Sequence, residues 1–209
     1  MTKRNFLKNE ILKALSEKLK PYDYKLKKSD DSFIQKTEFG WNMFSTTFLV
    51  RSEGWNIRPG LLIRFNVVED LFHQVSNFEK KYHKGTPTLG TSIENLNING
   101  LEARFDLFEE AQIDRVASEL FKLFKSVGTP FFEKYNNLPA VDHQINDDNT
   151  VLTGFIFKGT KGLILAKLLG RKDFGILQEK YQHYYESFSD GFYLPEYLRV
   201  KELLSSNDR

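Results

Sequence analysis

The sequence predicts an α+β protein: an antiparallel β-sheet of four to six strands, preceded by an N-terminal helix and covered by C-terminal helices. Three observations carry that expectation. Residues 4–19 place Leu7, Ile11, Leu15 and Leu19 at i, i+4 spacing, with Leu12 beside them and lysines behind. Residues 22–68 then break into short segments of strand composition separated by turn residues. Finally, EEAQIDRVASELFKLFKSVG, residues 109–128, restores a helical period.

Pro21 stops the first helix. YDYKLKKS, SFIQKT and GWNMFSTTFLVR follow, separated by DDS and EFG, and links so short cannot hold a parallel crossover. In GWNIRPGLLIRFNVV, residues 54–68, Ile57, Pro59, Leu61, Ile63, Phe65 and Val67 share one strand face. Arg58, Gly60, Leu62, Arg64 and Asn66 share the other, and Pro59 belongs near a strand end or edge. EDLFHQVSNFEKKYH, residues 69–83, reads as a short helix with Leu71, Phe72, Val75 and Phe78 on one side. KGTPTLGTS, residues 84–92, reads as an exposed loop. LNINGLEARFDLF, residues 96–108, resumes strand patterning through Leu101, Ala103, Phe105 and Leu107.

In the 109–128 helix, Ile113, Val116, Ala117, Leu120, Phe124 and Val127 form a stripe, with Gly128 at the expected C-terminal cap. A short helix is expected after Pro130, then a polar loop over DHQINDDNT, residues 142–150. Residues 160–188 read as two helices broken at Gly170, with Asp173 capping the second. Pro195 takes a first helical position in PEYLRVKELLSS. No repeat or linker interrupts the chain. The expectation is one domain over 1–209, β-rich over 1–108 and helical over 109–209.

Composition narrows the chemistry. Hydrophobic residues make up 40% of the 209 and charged ones 28%, the balance of a soluble globular chain. Nineteen Phe and nine Tyr argue for a packed core. The lack of cysteine removes disulfides, thiol nucleophiles and thiolate metal sites, and fits a reducing cytoplasm. MTKRNFLKNEILKALSEKLK lacks the apolar run of a signal peptide, and GLILAKLLG is too short to span a bilayer. A cytoplasmic protein is expected. Net charge is +2, but residues 1–28 hold nine basic against three acidic side chains, which leaves −4 elsewhere. Such a segment suits either a solvated lysine-rich helix face or an acidic partner.

No catalytic, cofactor-binding or metal-ligating residue is assigned. His73, His83, His143 and His183 are scattered, without an HxH or HExxH spacing. No G-x-S-x-G elbow is present. KGTKG, residues 158–162, does not match a phosphate loop and reads as a polar turn before a helix. INDDNT, residues 145–150, lacks the alternate acids, glycine and distal glutamate of an EF-hand. Glu109 and Glu110 favour the dipole of the helix they open.

The arginines remain. If the 57–68 and 96–108 strands lie close, Arg58, Arg64 and Arg104 share a sheet face with Glu102 and Asp106, near Trp41, Trp55 and the phenylalanines of 39–48. That face is either the wet side of a half-buried sheet or a surface for a carboxylate, phosphate or protein partner.

The order of pieces also carries a resemblance. YDYKLKKSDDSFIQKT before an aromatic-rich strand, the helix ending VGTPFFEKYNNL, and GLILAKLLGRKDFGILQEKY resemble a family of uncharacterised bacterial proteins, a domain of unknown function. The resemblance implies a bacterial cytoplasmic α+β chain with no catalytic residue to carry over. Similar small bacterial families include immunity proteins that neutralise toxins. The expected function is therefore a non-enzymatic protein-binding module, immunity-like in one form, using Arg58, Arg64 and Arg104 with Trp41 and Trp55. The alternative is a small-molecule or enzymatic cleft between sheet and C-terminal helices, lined by Tyr181, His183, Tyr184 and Tyr185. Nucleic-acid binding by the basic N-terminal helix ranks last, for want of a recognised module.

Overall fold

The first helix starts where Thr2 caps it: the Thr2 hydroxyl accepts the N–H of Asn5 at 3.3 Å. In chain order the elements are α1 (Lys3–Leu19), β1 (Lys25–Lys27), β2 (Ser32–Lys36), β3 (Gly40–Val50), β4 (Trp55–Phe65), α2 (Asn66–Phe72), β5 (Leu89–Ser92), β6 (Phe105–Leu107), α3 (Ile113–Leu123), α4 (Thr129–Lys134), α5 (Leu138–His143), α6 (Lys158–Leu168), α7 (Phe174–Ser187) and α8 (Leu194–Ser206). This computed structural model describes residues 2–96, 98, 100–148 and 156–206. The chain is α+β, with an N-terminal helix, a six-stranded antiparallel sheet and C-terminal helices. Its contacts cluster in two compact units, residues 1–63 with 90–134 and residues 64–89 with 135–209.

The first unit is built on the sheet. Its strand order is β1-β2-β3-β4-β5, with β6 also on β4. Register runs from Ser32↔Ser45 to Lys36↔Trp41 between β2 and β3, and from Trp55↔Leu107 to Ile57↔Phe105 between β4 and β6. Leu7, Ile11, Leu12, Leu15 and Leu19 of α1 are buried, and α1 packs against α3. Val116, Ala117, Leu120 and Phe124 are buried as the stripe requires. The Phe124 ring stands edge-on to Phe44 of β3 at 5.5 Å.

Gly128 is not a helix stop. The chain stays helical through a π-type turn, Phe124–Gly128, into α4. Gly128 serves packing instead: a Cβ there would lie 3.4 Å from Leu61 Cδ2 and 3.3 Å from Phe124 Cδ2. The expected 84–92 loop contains β5. Its glycine, which reads as a loop residue, lets β5 approach β4, since a Cβ on Gly90 would meet Leu62 Cδ2 at 2.4 Å. The 96–108 strand shrinks to Phe105–Leu107; Asn97 and Asn99 lie outside the described residues.

The second unit is helical. The 54–68 strand ends at Phe65, and Val67 lies in α2, where it is exposed. The helix expected over 69–83 begins earlier and ends at Phe72. KGTKG is not a polar turn: it forms the first turns of α6, with Gly159, Thr160, Lys161 and Gly162 all buried. Helix α6 packs against α2, α7 and α8 in turn, so it is apolar on most sides and shows no clear stripe. Gly159 allows this approach, because a Cβ would meet the Tyr181 ring at 2.7 Å. The 142–150 segment is helical as far as Asp148, with Asp142, Gln144, Ile145 and Asn146 buried. Asn149 and Thr150 lie outside the described residues. Gly170, at φ +62°, ends α6 as expected. Asp173 does sit at the N-cap of α7, but makes no capping bond; its carboxylate takes the Arg171 guanidinium.

Candidate functional site

In the first unit, Arg58 and Arg104 meet on one carboxylate. Arg104 Nε donates to Glu94 Oε2 at 2.7 Å, and Arg58 Nη1 lies 3.7 Å from Glu94 Oε1. Arg58 Nε also donates to Asn56 Oδ1 at 3.2 Å, while Asn56 Nδ2 donates to Asp106 Oδ1 at 2.9 Å. The short turn Ile93–Asn95 after β5 delivers Glu94, and β4 delivers Asn56 and Arg58. This polar row stays accessible, with the Arg58 side chain 31% and Arg104 59% exposed. Trp55 begins the same strand: its indole N–H donates to the Arg4 carbonyl at 2.7 Å, and its ring packs edge-on against Phe48. Trp41 is a core residue, opposite Lys36 in the β2–β3 register.

Arg64 behaves differently from Arg58. It belongs to the second unit and is 3% exposed. Its Nη1 donates to the carbonyls of His83 and Thr86 at 2.7 and 2.9 Å, and Nε to Asn66 Oδ1 at 2.9 Å. Burial lowers its affinity for a proton, and the carboxylates of Glu69 and Asp70 oppose that. This guanidinium is committed inward and holds the backbone that leads into β5.

Around Arg64 lies an ionic core that pattern reading missed. Glu69 is fully buried and takes Lys161 Nζ at 2.9 Å, Thr86 Oγ1 at 2.7 Å and Thr88 Oγ1 at 2.9 Å. Lys161 also donates to the Pro87 carbonyl, and its ammonium stands 5.1 Å from the centre of the Phe72 ring. Burial pulls the Lys161 proton affinity down, and Glu69 partly restores it. The sequence signal was slight: charged residues set against apolar ones in two stretches, Glu69 and Asp70 in NVVEDLF and Lys158 and Lys161 in KGTKGLILA.

The same network sets the tautomer of His73. Thr86 has one hydroxyl proton, which goes to the Glu69 carboxylate, and it accepts from Arg64 Nη1 at 3.0 Å. His73 Nε2, 2.7 Å from Thr86 Oγ1, must therefore carry a proton, which leaves Nδ1 to accept from Ser76 Oγ at 2.8 Å. The His73 ring stacks on His83 at 4.1 Å and 7°. Burial first, then His83, Lys161 and Arg64, push the His73 pKa down to about 4. A neutral imidazole so placed is a poor base and a good structural hydrogen-bond bridge.

A second cluster gathers three carboxylates on Arg171: Asp142 at 2.8 Å, Asp147 at 2.9 Å and Asp173 at 2.7 Å. It ties the helical 142–148 segment to the α6–α7 connection. Tyr181 and Tyr185 are buried with their hydroxyls turned inward: Tyr181 donates to Asn146 Oδ1 at 2.6 Å and Tyr185 to the Ile156 carbonyl at 2.8 Å. Burial raises both phenol pKa values. Tyr184 is half-buried, and His183 is exposed beside Glu186.

No group of His, Asp or Glu among the described residues is placed to hold a metal ion. An open groove of about 300 Å³ runs along α1 and the start of α3, lined by Glu10, Glu17, Glu110 and Asp114 with Lys13. The N-terminal helix thus shows an acidic side as well as its basic one. No family model, no curated protein and no solved structure matches this chain.

Proposed function

We propose that this chain is a non-enzymatic protein-binding module whose contact surface includes Arg58 and Arg104. The observation that supports it is the sharing of Glu94: two guanidinium groups are held on one carboxylate, half-exposed, with N–H donors to spare. Pre-positioned arginines lose little freedom when they engage a partner carboxylate. The other charge clusters, on Glu69 and on Arg171, are already spent on internal bonds. A bacterial, cytoplasmic setting and an immunity-like role, capture of a toxin, belong to this proposal. The cysteine-free composition supports the location. Among the described residues, no helix is long and apolar enough to cross a membrane.

The test is native mass spectrometry of tagged protein drawn gently from its host, with Arg58→Glu/Arg104→Glu alongside. A stoichiometric second protein, lost from the folded double variant, is the expected result. Equal recovery of that protein on the double variant would move the contact elsewhere. A bare chain would overturn the reading.

A further inference from the structure

The register of β3 leaves part of one edge open. Thr37 and Gly40 exchange both backbone bonds, at 3.1 and 3.4 Å, so the even-numbered residues of β3 turn their N–H and C=O toward β2. At the far end the Arg51 N–H donates to the Gly54 carbonyl at 3.1 Å, which assigns the odd-numbered residues to the β4 side. Pairing with β2 stops at Ser32↔Ser45, yet β3 runs on to Val50. The Thr46 hydroxyl still reaches the Asp31 carbonyl. Beyond it, Phe48 and Val50 aim their backbone groups away from β4 with no strand opposite among the described residues. Exposure follows suit: Thr47 is open and Val50 is 58% exposed. An uncovered run of this kind is a template for another strand.

Charge around the edge selects the occupant. Two of its acids are taken, Asp31 by Lys8 at 2.7 Å and Asp30 by Lys27 at 2.6 Å, and the exposed Glu53 lies 3.9 Å from Lys3. Arg4, Lys28 and Arg51 have no acidic partner among the described residues; the Arg51 side chain reaches only the Val50 carbonyl, at 3.3 Å. The surplus is positive. We propose that Phe48–Val50 of β3 is the edge to which an extended, acidic segment of a protein partner adds as a further strand. This rests on the protein-binding reading but uses a surface separate from the Arg58–Glu94–Arg104 row, so each fails on its own.

The experiment follows amide exchange by NMR on the full chain, titrated with a synthetic hexapeptide of alternating glutamate and valine, and with its lysine–valine counterpart. The acidic peptide should slow exchange at the Phe48 and Val50 amides about tenfold, and the lysine peptide should not. Val50→Pro should abolish that protection yet fold, because among the described residues no strand pairs with the side of β3 to which the Val50 N–H points. Val50→Glu, which keeps the backbone donor but repels the peptide, serves if the proline variant unfolds. Arg58→Glu/Arg104→Glu should leave the protection intact. No slowing, equal slowing by both peptides, or slowing with protein concentration alone, which would mean a second copy on the edge, overturns the proposal.

Discussion

Lys161 Nζ lies 2.9 Å from both carboxylate oxygens of Glu69, and the two side chains are 2% and 0% exposed. Removing Glu69 takes the bonded carboxylate from the Lys161 ammonium, and removing Lys161 leaves the Glu69 carboxylate to the more distant Arg64 guanidinium, 3.9 Å away. Lys161→Met or Glu69→Gln alone should therefore cost about 3–5 kcal/mol. The double variant should cost clearly less than the sum, because neither member of the pair is left to face the loss of the other. Urea midpoints of the four proteins measure the coupling; simple additivity would show that the contact is not an effective ion pair.

His73 makes acid sensitivity specific. Its folded pKa, about 4, lies below the unfolded value of 6.5, so between those limits the unfolded chain binds a proton that the folded chain refuses. Stability from this group is complete above the unfolded value, falls as pH drops through the window, and is level below the folded value. The loss should be roughly 3 kcal/mol. His73→Gln should flatten the curve between pH 7 and 4, measured as the urea midpoint; an unchanged slope would place the sensitivity elsewhere.

Arg171 is a fork that lysine cannot copy. Its three carboxylates hold its proton affinity well above the ordinary guanidinium value, and it lowers the pKa of Asp147 and Asp173 in return. Those two acids add stability above the ordinary carboxylate pKa and lose it as pH falls through their lowered values. Asp147 is 40% exposed, so solvent screens much of the gain. Arg171→Lys should cost about 1 kcal/mol, less in molar salt. A salt-independent loss would point to packing rather than charge.

Two glycines in neighbouring helices should respond in opposite ways to alanine. At Gly162 a Cβ would meet Asn146 Oδ1 at 2.4 Å and Ile145 Cγ2 at 2.9 Å. Overpacking there should outweigh the gain in helix propensity, for a net loss of about 1–3 kcal/mol. At Gly175, in the first turn of α7, nothing lies within 4 Å of the Cβ position. Gly175→Ala should raise stability by about 0.5–1 kcal/mol. Thermal melts of both compare the signs directly.

What the sequence determined by itself lay in its periodicities and short links. Leu7, Ile11, Leu15 and Leu19 foretold α1 and its buried side, and the tight turns between β1, β2 and β3 required antiparallel pairing. The Val116–Leu120–Phe124 stripe marked α3. These are local facts, since side-chain spacing and link length act before any long-range contact forms.

Tertiary structure decided the rest, where a residue's meaning depends on a neighbour far along the chain. Arg58 and Arg64 look alike in the strand pattern, yet one is half-exposed on Glu94 and the other buried under the His83 and Thr86 carbonyls. Gly90, Gly128 and Gly162 read as loop, cap and turn, but each marks a close approach of another element. Lys161 reads as a polar turn residue until Glu69, 92 positions away, gives its charge a partner. Burial of a charge is settled by its partner, and a single sequence does not record distance.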